Sequence, residues 1–332
     1  MEFRAGTSLI GSGGRPVFGL YRHPLKDLSL GGYRPHGSLV IKPKPGNLKK
    51  WIFCGAVSED FVFGAAVVDI GYLSNLFSYV FDRKTKKITE ISALSPLSMG
   101  TSFQGSAAGG KAVYKSGGAK AAWVFAGDKI ELSISTPKIE ADLSYTRVKE
   151  PLCLVSRIGL KGFNYTEKES AAAAEGTIKT GGNQYTAGPE TSGIIDFTTG
   201  VLSRKTFWNW ASGAGRAETG EKISFNLSQG VNETGFTENA FWVNGSMVKV
   251  DTVDFIYNDR RHVSEWEIRS YDGKIKLFFT AEGERKADIK TGFMSSFFHQ
   301  PFGSFRGTLD DGAKQYVIKE AYGFTEEHEA VW

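Results

Sequence analysis

The stretch SEWEIRSYDGKIKLFFT, Ser264–Thr280, decides the fold class. Trp266 and Ile268 alternate with Glu265, Glu267 and Arg269, and Asp272-Gly273 follows as a dipeptide suited to positive φ angles. A second run of strand-forming residues resumes at once, so the segment reads as strand, tight turn, strand. The same period of two recurs in KISFNL (Lys222–Leu227) and KIELSIS (Lys129–Ser135), with further turn dipeptides at Asn244-Gly245 and Asp311-Gly312. Such runs predict antiparallel strands with one face buried and one wet. Helical periodicity is almost absent; SAAAAEG (Ser170–Gly176) offers one or two turns at most, and could equally start a strand.

Composition agrees. The 332 residues include 40 Gly, 24 Phe, 12 Tyr and 7 Trp, enough aromatic and turn-forming material for a large all-β body or two domains. A break is expected near residues 146–165, where TRVKEPLCLVSRIGLKGFNY interrupts the meander, giving β-barrel halves at 1–155 and 156–332. The formal charge of +4 is evenly spread, and RKTKK (Arg83–Lys87) looks like a hairpin tip, so nucleic acid is poorly supported as a partner. No N-terminal apolar h-region is visible, and the longest apolar run, Phe61–Val68, is too short to span a bilayer. The expectation is therefore a soluble, cytoplasmic protein, with sequons at Asn164, Asn226, Asn232 and Asn244 as chance matches. Cys54 and Cys153 sit among apolar neighbours and read as buried thiols rather than a disulfide.

The familiar chemical motifs fail on context. Gly213, Gly215 and Gly220 do not fit a dinucleotide fingerprint, and the strand KISFNL follows them where a phosphate-binding helix is needed. His23, His36, His262, His299 and His328 show no metal-ligand spacing, so no metal and no cofactor is expected. More informative are carboxylates inside apolar strands. In FTENAFWV, Glu238 shares a face with Trp242 while Asn239 shares one with Phe241 and Val243, so one of the two must enter an apolar face. Asp196 in GIIDFTTG and Asp69 in AVVDIGY are similarly placed. A buried carboxylate costs several kcal/mol unless paired, so each is either a structural anchor or an acid–base group in a cavity.

The tryptophans exceed what a β-sandwich core needs, and wide barrels enclose apolar ligands. In KTFWNWASGAGR (Lys205–Arg216), Trp208 and Trp210 share one strand face, the wall of such a cavity. In the closing GFTEEHEAVW, Glu326 and His328 share a face if extended, and Trp332 would close a barrel by packing inward.

The runs KTFWNWASGAGR, GEKISFNLSQGV, TENAFWVNG, SEWEIRSYDGKIKLFF and QPFGSFRGTL, with the closing GFTEEHEAVW, resemble the family catalogued as domain of unknown function 2804. That family is in turn similar to two-barrel lipocalin-like (calycin) proteins: carotenoid 1,2-hydratase, AttH-like proteins and fungal lipocalin-type cyclases. The resemblance implies two consecutive antiparallel β-barrels and an isoprenoid, polyketide or lipid ligand. SGIIDFTTG loosely resembles a Trp-x-Asp-x-x-x-Gly segment of those relatives, with Ile in place of the tryptophan.

Three functions stay open from the sequence. An alkene hydratase or cyclase would use Glu238 and Asp196 as acids. Trp208, Trp210 and Trp242 would form its walls and Asn226 and Asn239 would orient water or substrate, with Trp266, Asp69 and His328 as further ligand-binding residues. A non-catalytic carrier would use the same cavity. A structural module would have no cavity at all, and a homodimer is left open.

Overall fold

A computed structural model describes residues 3–35, 47–230, 235–290 and 294–332; His36 and the sequon at Asn232 lie outside them. Every regular element among the described residues is a strand, including the alanine run, which belongs to the long strand Gly162–Thr180. The strands form two antiparallel sheets, each curled into a barrel.

The first sheet runs from Lys87–Pro96 through Leu73–Asp82, Phe61–Asp69, Leu48–Val57, Ser192–Val201, Gly162–Thr180 and Ile139–Thr146. It then descends a meander to Thr101–Ser106. Its two ends meet: Tyr114 Oη donates to Ala93 O at 2.9 Å, and Ser74 and Thr101 hydroxyls lie 2.6 Å apart. The second sheet places the last strand, Gln315–Val331, between Lys205–Ala217 and Ser295–Asp310. Its curl is tied where Gln229 Oε1 accepts the Phe255 amide at 3.3 Å. The change of sheet falls between Val201 and Lys205, whereas the break at residues 146–165 lies inside the first sheet, which retains Leu152–Ile158 and Gly162–Thr180.

Asn244 and Gly245 both take positive φ in the turn between Ala240–Val243 and Ser246–Lys249, as the dipeptide requires. The RKTKK segment forms the turn between Leu73–Asp82 and Lys87–Pro96. Cys54 and Cys153 are free and buried.

Burial separates two kinds of strand. Lys129–Ser135 alternates buried and exposed, as a half-wet strand should. Ser192–Val201 is buried almost throughout and Phe61–Asp69 along most of its length, because their inward faces fill the first barrel and their outward faces meet the second. Both interiors are packed with side chains: Trp123, Phe63 and Tyr165 in the first, Trp266, Phe225 and Phe305 in the second. A third cluster fills part of the seam, where Phe53, Tyr79 and Phe81 pack on Trp210, Phe302 and Phe324. The Phe81 and Phe302 rings stack with centroids 5.1 Å apart. Arg83 grips Glu282 bidentately across the seam at 2.6 and 3.0 Å, and Trp242 Nε1 donates to Glu150 O at 2.8 Å.

The strands pass very close where Gly323 stands between Gly213 and Gly303 on its two neighbours. A Cβ on Gly323 would sit 2.1 Å from Ser212 O, a backbone atom that cannot swing aside. Gly323→Ala should therefore lower stability by roughly 1–3 kcal/mol, as overpacking does. A reduced urea midpoint at unchanged slope is the expected readout; an unaltered midpoint would mean the neighbouring strands give way easily there.

Candidate functional site

A large cavity lies between the barrels, not inside either one. It encloses about 570 Å³, and its lining comes from both sheets. Strand alternation explains this. Residues 326 and 328 of Gln315–Val331 face outward toward the first barrel, as do Trp208 and Trp210 of Lys205–Ala217 and Gln300 and Phe298 of Ser295–Asp310. Opposite them stand Trp51, Phe53, Lys168 and Asp196 of the first sheet.

The polar floor is an ion cluster. Lys168 Nζ lies 2.7 Å from Asp196 Oδ2 and 3.3 Å from Glu238 Oε2, all three nearly inaccessible to water. Burial disfavours the Lys168 ammonium, but Asp196 and then Glu238 more than offset this and raise its pKa. Burial also pushes the Glu238 carboxyl up, against the pull of Lys168. Trp51 Nε1 donates to Asp196 Oδ2 at 3.1 Å, and Lys168 Nζ sits over the Trp210 ring, 4.7 Å from its centroid. Asn226 stands behind Trp210: its Oδ1 accepts the indole N–H at 2.8 Å, and its Nδ2 donates to Glu238 O at 2.7 Å.

A separate carboxyl occupies the aromatic wall. Glu326 receives hydrogen bonds from Trp208 Nε1 on one oxygen and Gln300 Nε2 on the other, each 2.8 Å. Burial outweighs these bonds and the attraction of Lys168 and Arg285, so its pKa is pushed up to about 7. Two residues on, His328 is pressed down to about 3 by burial, with the Arg285 charge adding to the effect. Its neutral ring shares a hydrogen bond with Ser296 Oγ at 2.8 Å and lies edge-on to Trp208 at 4.3 Å. Trp208 stacks between Trp51 and Trp332 at centroid distances of 6.5 and 6.4 Å. Trp332 thus lines the seam cavity, not a barrel interior, and its indole N–H donates to Thr206 Oγ1 at 2.8 Å.

Of the residues singled out from the sequence, Asp196, Glu238, Trp208, Trp210 and His328 come together around this cavity, with Asn226 directly behind. The others lie elsewhere. Asn239 holds the Ser228 amide and Asp251 O at 2.6 and 2.9 Å, tying the strand Lys222–Gln229 to the loop at Asp251 in the second barrel. Trp242 packs with Leu152 and Leu154, and Trp266 is fully buried in the second barrel core. Asp69 caps a turn, accepting from the Gly71 amide at 2.8 Å and Ser98 Oγ at 2.6 Å. Sequence reading passed over Lys168, Trp51, Gln300, Ser296 and Arg285. Lys168 sits in TEKES, which reads as a wet strand until both of its faces prove to be covered.

No curated protein matches the chain. Among solved structures, kievitone hydratase from Nectria haematococca superimposes with TM-score 0.53 at 11% identity, covering 98% of this chain and 97% of that one. An AttH-like protein from Nitrosomonas europaea gives TM-score 0.54 at 13% identity over 89% of this chain and 98% of the other. At such identities the likeness concerns the two-barrel fold. Over residues 1–332 the chain matches the domain of unknown function DUF2804, and it belongs to that family.

Proposed function

We propose that the seam cavity binds a hydrophobic small molecule of isoprenoid, polyketide or lipid type, and adds water across one of its alkenes or removes it. The observation that carries this reading is Glu326, a carboxyl with pKa about 7 set in a wall of indoles. Protonating an alkene carbon needs a carboxylic acid that stays neutral near physiological pH, and aromatic faces that attract the resulting cation. The Glu326 proton forms the new C–H bond as the π bond opens. Water then attacks the cation from the side of His328 and Ser296, and its surplus proton restores Glu326. The net change is one water gained; dehydration runs the same steps backwards. Lys168, Asp196 and Glu238 form the polar end that receives a ligand hydroxyl or carbonyl. The hydratase among the structural neighbours fits this chemistry.

The test is incubation with prenyl-bearing alkenes and unsaturated fatty acids in water enriched in heavy oxygen, followed by mass spectrometry. A product heavier by one labelled water supports the hydratase. A ligand that binds and returns unchanged assigns a carrier instead, and a protein that binds none of the panel overturns both. Trp208→Ala removes the indole that holds Glu326 and faces the ligand, and should weaken binding by roughly 10- to 100-fold, the loss of a buried aromatic contact of about 1.5–3 kcal/mol. Fluorescence titration reads this directly; unchanged affinity would place the ligand away from Trp208.

A further inference from the structure

The second barrel carries another cluster of chemically capable side chains, on the opposite face of the same strands. Glu327 points away from the seam, between its outward neighbours Glu326 and His328, and His299 stands beside it on Ser295–Asp310. His262 comes from the loop before Trp266, and Glu284 from Ile275–Lys290. Ligand atoms of His262, Glu284 and His299 all lie within 4.8 Å of one another. Glu327 Oε1 lies 3.0 Å from His262 Nε2, and Glu284 Oε1 lies 2.7 Å from His299 Nδ1.

The surroundings hold these groups in place. Tyr257 Oη donates to Glu327 Oε2 and itself accepts from Asn209 Nδ2 at 2.9 Å. The Tyr257 ring stacks on Trp266 at 3.7 Å, and the Trp266 indole donates to His262 O at 2.7 Å, fixing the loop that presents His262. Oriented ligands backed by such outer partners are how proteins build metal sites.

We propose that His262, His299 and Glu284, with Glu327 as a fourth ligand, form a binding site for one divalent transition-metal ion, zinc above all. Two imidazoles with one or two carboxylates are a zinc-type donor set, and imidazole nitrogen favours zinc, nickel or copper over magnesium or calcium. With both rings neutral the set carries two negative charges, which one divalent ion cancels. Lys286, opposite His299 in the sheet, lines the seam cavity instead. The two imidazoles stack face to face, 3.8 Å apart, so metal binding pivots each ring about χ2, a soft torsion, until the nitrogens converge. The ion enters between each ring and its carboxylate with the ring in the neutral tautomer that carries its proton on the other nitrogen, so no proton is lost from the set. Neither the cavity nor Glu326 takes part, so this site stands or falls independently of the alkene chemistry.

The experiment is calorimetric titration of the full chain, stripped with chelator, with Zn²⁺, and with Co²⁺ followed by visible absorption. One equivalent should bind, with cobalt bands of a nitrogen–oxygen site and a higher melting temperature. His262→Ala and His299→Ala should each weaken binding by roughly 100-fold or more, and Tyr257→Phe by about 10-fold as an outer partner. Glu284→Gln, similar in shape, guards against a histidine variant that fails to fold; it too should lose affinity while melting cooperatively. Absence of saturable binding in the wild-type chain, or binding that survives all three ligand substitutions, overturns the proposal.

Discussion

Glu326→Gln is expected to lower the proposed alkene hydration by roughly 10²- to 10⁴-fold, the usual contribution of a positioned general acid, while ligand affinity changes little. The amide keeps the shape and can still accept the Trp208 N–H, but it has no proton to give. Wild-type activity should require the neutral carboxyl and decline as pH rises through about 7, an inflection the variant lacks. Stability gives a second readout with a definite sign. The folded-state pKa lies above the ordinary value of 4.5, so the folded chain holds this proton more tightly than the unfolded one. The resulting stabilisation is fully present below about pH 4.5 and is lost as pH rises through about 7. Across that window it amounts to roughly 3 kcal/mol. Glu326→Gln removes this slope, so the variant gains stability relative to wild type at pH 8 and not at pH 4. Denaturant melts at the two pH values check it. Equal turnover in wild type and variant, or the same pH inflection in both, would remove Glu326 from the mechanism.

Arg147→Met produces the largest loss of stability. The Arg147 guanidinium is enclosed in the first barrel, donating from Nη2 to Glu167 Oε2 at 2.8 Å, from Nε to Glu169 Oε1 at 2.5 Å, and from Nη1 to Ala107 O at 3.0 Å. Tyr165 Oη donates to Glu167 at 2.6 Å and accepts the Leu25 amide at 2.8 Å, so the cluster also pins the N-terminal segment. Methionine leaves two carboxylates buried without their cation, at a cost of about 3–5 kcal/mol. Burial already pushes the Glu167 pKa up, with Arg147 opposing, and removing the guanidinium drives it higher. The loss should therefore be greatest at alkaline pH and shrink as acid neutralises the carboxyls. Adding Glu167→Gln and Glu169→Gln to Arg147→Met should recover much of the stability. An equal loss at pH 5 and pH 8 would mean the methionine disturbs packing rather than charge.

The site itself was half legible in the sequence. Asp196 and Glu238 stood out because a carboxylate within an apolar strand needs a partner, and both find Lys168. Their partner did not stand out. Glu167, Lys168 and Glu169 look like ordinary surface charges, yet Glu167 and Glu169 point into the first barrel at Arg147 while Lys168 points into the seam. Trp266 and Asp69 matched the same patterns and serve the core and a turn instead, because pattern fixes a residue's face but not what covers that face.

Alternation, turn dipeptides and aromatic content by themselves determined an all-β antiparallel chain, since these depend on local backbone geometry and on which face must leave water. The apolar run Phe61–Val68, read from the sequence only as too short to span a bilayer, proves to be a strand buried along most of its length. Only the tertiary structure decided that the cover is the other barrel, that a cavity of about 570 Å³ lies in the seam between them, and that the carboxyl of Glu326, its pKa raised by burial, stands in the cavity wall. The physical reason is range. A strand's period is written over a few residues, whereas a cavity is assembled from chains far apart in sequence, as when Trp51, Lys168, Trp208 and Glu326 converge. Its electrostatics follow from the water they jointly exclude.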